Sequence, residues 1–173
     1  GVLEEDIILI NNGANFEKII YNPDILVDTD ITRSVYLGKI DLRKRQYLLQ
    51  DLDNLDFVGN IGEDIGYMFD VTRANYLGEW TREEVYSNLS NYASLVLLSD
   101  GEADPLVVKE ALMAGCGLVL SEYATANLDL NQEWIDVIPE EWLIPEQLQL
   151  NKIKEVILKN NKKSIQFRDQ IRE

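Results

Sequence analysis

Histidine is absent from all 173 residues, which removes every His-based triad, His general base and His metal ligand. Cysteine occurs once, as Cys116, so no internal disulfide can form and a reducing compartment is expected. Because Cys116 stands between two glycines at the start of an apolar run, its expected role is packing. No apolar run approaches the roughly 20 residues of a membrane-spanning helix, and no signal-peptide pattern is visible. These absences together predict a cytoplasmic protein. Positive charge is also scarce: 16 Lys and Arg face 31 Asp and Glu, a net charge of −15. That balance argues against nucleic acid as a partner.

The scarce positive charge is unevenly spread. Residues 151–173 hold seven of the basic side chains against three acids, a basic tail with a helical pattern. Four of the nine remaining bases fall in Lys39-Ile-Asp-Leu-Arg-Lys-Arg45, which reads either as an anion site or as a solvated first helical turn. The length, with 46% apolar residues, suits one domain over 1–173 with its own core.

Residues 95–121 organise the chain. Leu95–Leu98 is a short apolar run, as expected for a parallel strand covered on both faces. Asp104 and Pro105 suit the N-cap and first position of a helix over Leu106–Ala114, and Gly115 suits its stop. A further strand begins at Leu118–Leu120, completing one βαβ unit. Its loop Ser99–Ala103 lies where open α/β sheets bind ligands, beside a helix end that favours anions. By pattern alone Glu110 and Lys109 would form a solvated stripe and Glu102 an exposed loop acid.

Other strands are expected at Asp6–Ile10, Ser34–Leu37, Leu55–Gly59, Asn75–Gly78 and Trp134–Ile138. Asn11-Asn-Gly13 reads as a turn, and residues 20–32 as an irregular connection. An amphipathic helix is predicted over Arg43–Leu52, with Tyr47, Leu48 and Leu52 available to the core. A capping box, Thr81-Arg-Glu-Glu84, should open a helix running to about Ala93. Further helices are expected from Pro145 to Lys159 and from Ser164 to Arg172. The fold class is therefore α/β, a Rossmann-like parallel sheet of about six strands with helices on both faces.

Glu102 and Glu110, with seven residues between them and Ala111-Leu-Met-Ala-Gly115 after them, resemble the Glu-x7-Glu motif of the family 4 (group 1) retaining glycosyltransferases. The resemblance implies the C-terminal, donor-binding half of a GT-B fold. It implies that Glu110 holds the ribose hydroxyls of a nucleotide and that Glu102, the catalytic candidate, lies near the transferred sugar. Leu37-Gly-Lys-Ile-Asp-Leu-Arg-Lys-Arg45 is similar to the family's Gly-Arg-Leu-x-x-x-Lys-Gly loop. Beside Gly38, Lys39 takes the arginine's place and Lys44 the lysine's, so both would neutralise the donor diphosphate. Lysine supplies a point charge without arginine's bidentate fork. Gly59-Asn60 resembles the family loop near the base. Ile10–Ile19 is similar to the stretch that marks entry from the acceptor domain, which implies that the acceptor half is missing here.

The chain departs from the family after Glu102. Glycines common there are replaced by Ala103-Asp104-Pro105-Leu106, so Asp104 brings negative charge to the donor site and Pro105 offers no N–H. The implied partner is a UDP- or GDP-linked sugar, used for retaining, metal-independent hexosyl transfer without a cofactor. An isolated donor half should not transfer sugar. Asp28-Thr-Asp30 and Asp51-Leu-Asp53 are expected to be surface acids. The basic tail would be a solvated face, a docking element for the missing half, or a peripheral membrane contact. A rival reading is a degenerate, non-catalytic module offering a protein-interaction surface. A flavodoxin-like cofactor domain ranks last, because no phosphate loop follows the first strand.

Overall fold

The computed structural model describes residues 13–21, 23 and 33–173. The expected strand Asp6–Ile10, the turn residues Asn11 and Asn12, most of the 20–32 connection and the Asp28–Asp30 pair lie outside the described residues. Six strands form one parallel sheet: β1 (Ser34–Leu37), β2 (Leu55–Val58), β3 (Asn75–Tyr76), β4 (Ser94–Leu97), β5 (Gly117–Ser121) and β6 (Ile135–Ile138). Every residue of β1, β2, β4 and β5 is buried, which is why these strands read as nearly unbroken apolar runs. The edge strands differ: β3 has only two residues, and β6 buries Ile135 and Ile138 alone.

The strand order is β3-β2-β1-β4-β5-β6. The chain thus steps outward from β1 in one direction and, after returning to β4, outward in the other. Loops leaving β1 and β4 diverge, and a crevice opens at their carboxyl ends. Among the described residues, helices α1 (Arg82–Asn88), α2 (Leu106–Met113), α3 (Leu150–Gln166) and α4 (Arg168–Arg172) accompany the sheet. The capping box at Thr81 forms as expected, with the Thr81 hydroxyl accepting from Glu84 N–H and the Glu84 carboxylate accepting from Thr81 N–H. The helix it opens ends at Asn88, followed by a 3₁₀ turn over Leu89–Asn91.

The helix expected over Arg43–Leu52 does not form. The chain makes turns there, with a single 3₁₀ helix at Gln46–Leu48 entered through Arg45 at φ 59°. Arg45 in the left-handed region breaks the helical path, and side-chain bonds fix the turn around it. The Asp41 carboxylate accepts from Lys44 N–H at 2.8 Å, and the Gln46 amide donates to the Lys39 carbonyl at 2.8 Å. The expected core residues Leu48 and Leu52 are buried nonetheless, and Tyr47 packs against the core.

The C-terminal helices also depart from expectation. Pro145 opens only a 3₁₀ turn, and α3 runs unbroken through residues 160–163, where the sequence pattern suggests a gap. Asn160, Asn161 and Ser164 look like a helix break but are buried against the sheet. The Asn160 amide donates to the Leu118 and Trp134 carbonyls at 3.1 and 3.0 Å and to Asp136 at 2.9 Å. Polar residues on an inward face obscure the apolar period, while their hydrogen bonds remove the cost of burying them. Gly117 admits this close approach, since a Cβ there would stand 1.8 Å from Ser164 Oγ. Cys116 is buried, as its packing role requires, and burial pushes its thiol up to about 12.

Candidate functional site

Two loops border the crevice. The one after β1 carries Gly38 and Lys39. Gly38 sits at φ +150°, and its N–H bonds the Val58 carbonyl at 2.9 Å, so it contributes room and not a free donor. A Cβ at this position would touch the Lys44 side chain, 3.6 Å away. Gly59 lies directly behind. Its own Cβ would fall 2.0 Å from the Gly38 carbonyl oxygen, so glycine at 59 sets the course of the Gly38 loop.

The buried Tyr36 hydroxyl ties this loop to β4, accepting from Leu98 N–H at 2.7 Å and donating to the Lys44 carbonyl. Burial raises its pKa, so it remains a neutral donor. The loop after β4 is joined to the same turn, because Asp100 N–H donates to the Arg43 carbonyl at 2.9 Å and the Arg43 guanidinium donates to the Gly101 carbonyl. Glu102 N–H donates to the Tyr123 carbonyl at 3.1 Å, which anchors the loop to the segment after β5. Lys44 Nζ stands 2.6 Å from Glu102 Oε1, with Arg43 3.8 Å from the same oxygen.

α2 begins at Leu106 as expected, but its N-cap lies one residue later than the expected Asp104. Pro105, at φ −71° and ψ 121°, is the N-cap, and it makes no side-chain cap bond. Asp104 therefore does not cap the helix; its carboxylate lies 3.5 Å from Lys109 Nζ. Val108 N–H bonds back to the Pro105 carbonyl at 3.2 Å, closing the first turn, and the amino end of α2 faces the cleft with its positive dipole end. Glu110, one turn on, is not part of a solvated stripe. It is 4% exposed, and Arg82 Nη1 lies 2.6 Å from its Oε1. Desolvation pushes the Glu110 carboxyl up, and the Arg82 charge opposes that shift.

Gly38, Lys39, Lys44, Glu102, Asp104, Leu106 and Glu110 line one cleft of about 540 Å³ at the carboxyl edge of the sheet. Gly59 and Asn60, expected near the base, lie outside its lining. Lys39 also borders an adjoining cleft of about 400 Å³ that includes Asn60. Arg82, which the sequence motifs do not single out, lines the main cleft too, as the first residue of the helix that the Thr81 capping box opens. Asp51 forms an ion pair with Arg73 at half-exposed positions, as a surface acid does. Among the described residues no group of three or more Asp, Glu or Cys side chains is arranged to hold a metal, and no helix is long and apolar enough to cross a membrane.

The main cleft combines three cations (Lys39, Lys44 and Arg82) with the amino end of α2 and three carboxylates. Lys44 and Arg82 are already paired with Glu102 and Glu110, while Lys39 makes no ion pair among the described residues. Such a site can receive an anion at Lys39 and the helix end. It can also accept hydrogen bonds from hydroxyls at its carboxylates.

No family model matches the chain, and no curated protein matches it in sequence. Its fold is nevertheless shared with solved glycosyltransferases. WaaG, a glycosyltransferase involved in lipopolysaccharide biosynthesis, superposes with a TM-score of 0.67 at 17% identity, over 98% of this chain and 52% of that one. Sucrose-phosphate synthase from Thermosynechococcus elongatus gives 0.57 at 16% identity, over 92% and 47%. The lipopolysaccharide outer core galactosyltransferase WaaB gives 0.54 at 17% identity, over 96% and 57%. The chain spans about half the length of each. Its fold is the Rossmann-like domain of GT-B glycosyltransferases.

Proposed function

From this shared fold, we propose that the chain binds a nucleotide-diphosphate sugar as the C-terminal donor half of a retaining, family 4-like glycosyltransferase. The observation that carries the reading is the meeting of Lys39, Lys44, Glu102, Glu110 and the amino end of α2 in one cleft. Residues far apart in sequence converge there, at the sheet position where this topology offers a ligand crevice. In the transfer, the glycosidic bond breaks and negative charge develops on the leaving diphosphate. Cations and N–H groups fixed toward that charge assist its departure. Lys39 and the N–H groups at Leu106 meet the diphosphate first. Lys44 joins them by exchanging its contact with Glu102 for one with phosphate, which leaves Glu102 to orient the sugar. Glu110 accepts hydrogen bonds from the ribose hydroxyls. Asp104 lines the same cleft, and Lys109, 3.5 Å from its carboxylate, offsets part of its repulsion of the phosphates.

A hexosyl donor linked to UDP or GDP, transfer without a metal, and an acceptor held by a separate N-terminal half belong to the same reading. The isolated chain then binds donor and transfers nothing. Calorimetric titration with UDP, GDP and ADP, beside the Glu110→Ala variant, tests it. Saturable binding of one nucleotide, lost in the variant, is expected. Millimolar nucleotide without heat in the wild type would turn the interpretation to a partner-binding module.

A further inference from the structure

Glu110 is a buried carboxylate at the rear of the cleft, and among the described residues Arg82 is the one side chain hydrogen-bonded to it. The contact uses a single oxygen, Oε1, at 2.6 Å. A carboxylate offers about four acceptor positions, so Oε2 and part of Oε1 remain for incoming hydroxyls. Arg82 is itself held from behind. Its guanidinium carbon lies 5.6 Å above the centre of the Tyr86 ring, one helical turn further along α1. The Thr81 capping box fixes the start of that helix and so the direction in which Arg82 leaves it. Tyr86, Arg82 and Glu110 thus form a braced line from the outer helix into the cleft.

We propose that Arg82 is a positioning residue that orients the Glu110 carboxylate toward a vicinal diol, making the site select ribonucleoside over 2′-deoxyribonucleoside diphosphates. This rests on the donor-site reading above. With Arg82 in place, Glu110 meets the ligand with one oxygen already turned and the other open to both ribose hydroxyls. Without it, desolvation favours the protonated acid, which accepts less and rotates freely. The deoxy ligand offers one hydroxyl fewer and gains little from the arrangement.

Calorimetric titration of the chain with UDP, GDP and ADP, and with the 2′-deoxy form of each, provides the test. The wild type should prefer the ribo form of its nucleotide by about tenfold, the worth of one hydrogen bond to a charged group. Arg82→Gln should weaken the ribo form more than the deoxy form, which keeps only its 3′-hydroxyl for Glu110, bringing the ratio near one. Arg82→Lys, which keeps the charge, should restore part of the preference. Equal weakening of both forms in Arg82→Gln would mean a general structural role and overturn the inference, as would an unchanged ratio or a complete failure of lysine to rescue. If the wild type binds none of the six ligands, the donor-site reading fails and takes this inference with it.

Discussion

Replacing Gly59 by alanine gives a sharp test of how the crevice is built. The new methyl group would stand 2.0 Å from the Gly38 carbonyl oxygen, 2.6 Å from its carbon and 3.3 Å from Lys39 N. All three are backbone atoms, so no side chain can swing away to relieve the contact. Forcing extra volume into a packed region costs about 1–3 kcal/mol. A backbone at φ +147° adds about 1–3 kcal/mol for any residue with a Cβ. Together these predict about 2–6 kcal/mol of destabilisation, a fall in Tm of roughly 5–20 °C for a domain of this size. Gly101→Ala is the matched control, because nothing lies within 4 Å of the point its Cβ would occupy and its φ is not in the glycine region. Differential scanning calorimetry of both variants measures the contrast. Nucleotide titration of the folded Gly59→Ala protein should also show weakened binding, since the Gly38–Lys39 loop must shift. Gly59→Ala melting within a degree of the wild type would refute the close approach of the two loops.

Two further perturbations probe the fold and the cleft. Arg168 is buried and donates to the carbonyls of Tyr92 and Gly115 at 3.1 and 3.3 Å and to that of Ser90, so Arg168→Met should cost about 2–4 kcal/mol, read as a lowered urea midpoint. A midpoint that does not move would show that these chain ends need no internal cation. Glu110→Gln should raise stability near neutral pH while removing the ribose preference. Burial raises the Glu110 pKa, so its contribution favours the folded state when protonated and is lost as pH rises from the unfolded carboxylate range through the folded pKa. The stability gap between variant and wild type should therefore shrink as pH falls through that range, and thermal melts at pH 4 and pH 7 measure it. A gap constant with pH would show that Glu110 carries no burial penalty.

The Thr81 capping box and the inner strands are legible in the sequence because their causes are local. Three or four consecutive apolar residues suffice to mark β1 or β4, and a Thr followed three residues later by Glu marks a helix start. The 43–52 segment misleads because its apolar spacing suits a helix while Asp41 and Gln46 bind the backbone instead. Residues 160–164 mislead in the opposite direction. Their polarity suggests a break, yet the carbonyls of Leu118, near the start of β5, and of Trp134, just before β6, supply partners that only a packed helix can reach. Arg82 escapes a sequence-based search because nothing near it in the chain signals Glu110, 28 residues away.

The sequence by itself determined the α/β class, the strand and helix alternation around residues 95–121, and the acids and bases available for an anion site. It did so because period, turn residues and charge are properties of short segments. The tertiary structure decided which of those charges meet. Lys44 and Glu102 are 58 residues apart and touch only because β1 and β4 are neighbours where the strand order reverses. That adjacency also brings Glu110 into the cleft, while the neighbouring β1–β2 pairing, Leu37 opposite Val58, sets Gly59 against Gly38. Strand order is fixed by burying all the apolar faces at once, a requirement of the whole chain that no single segment expresses.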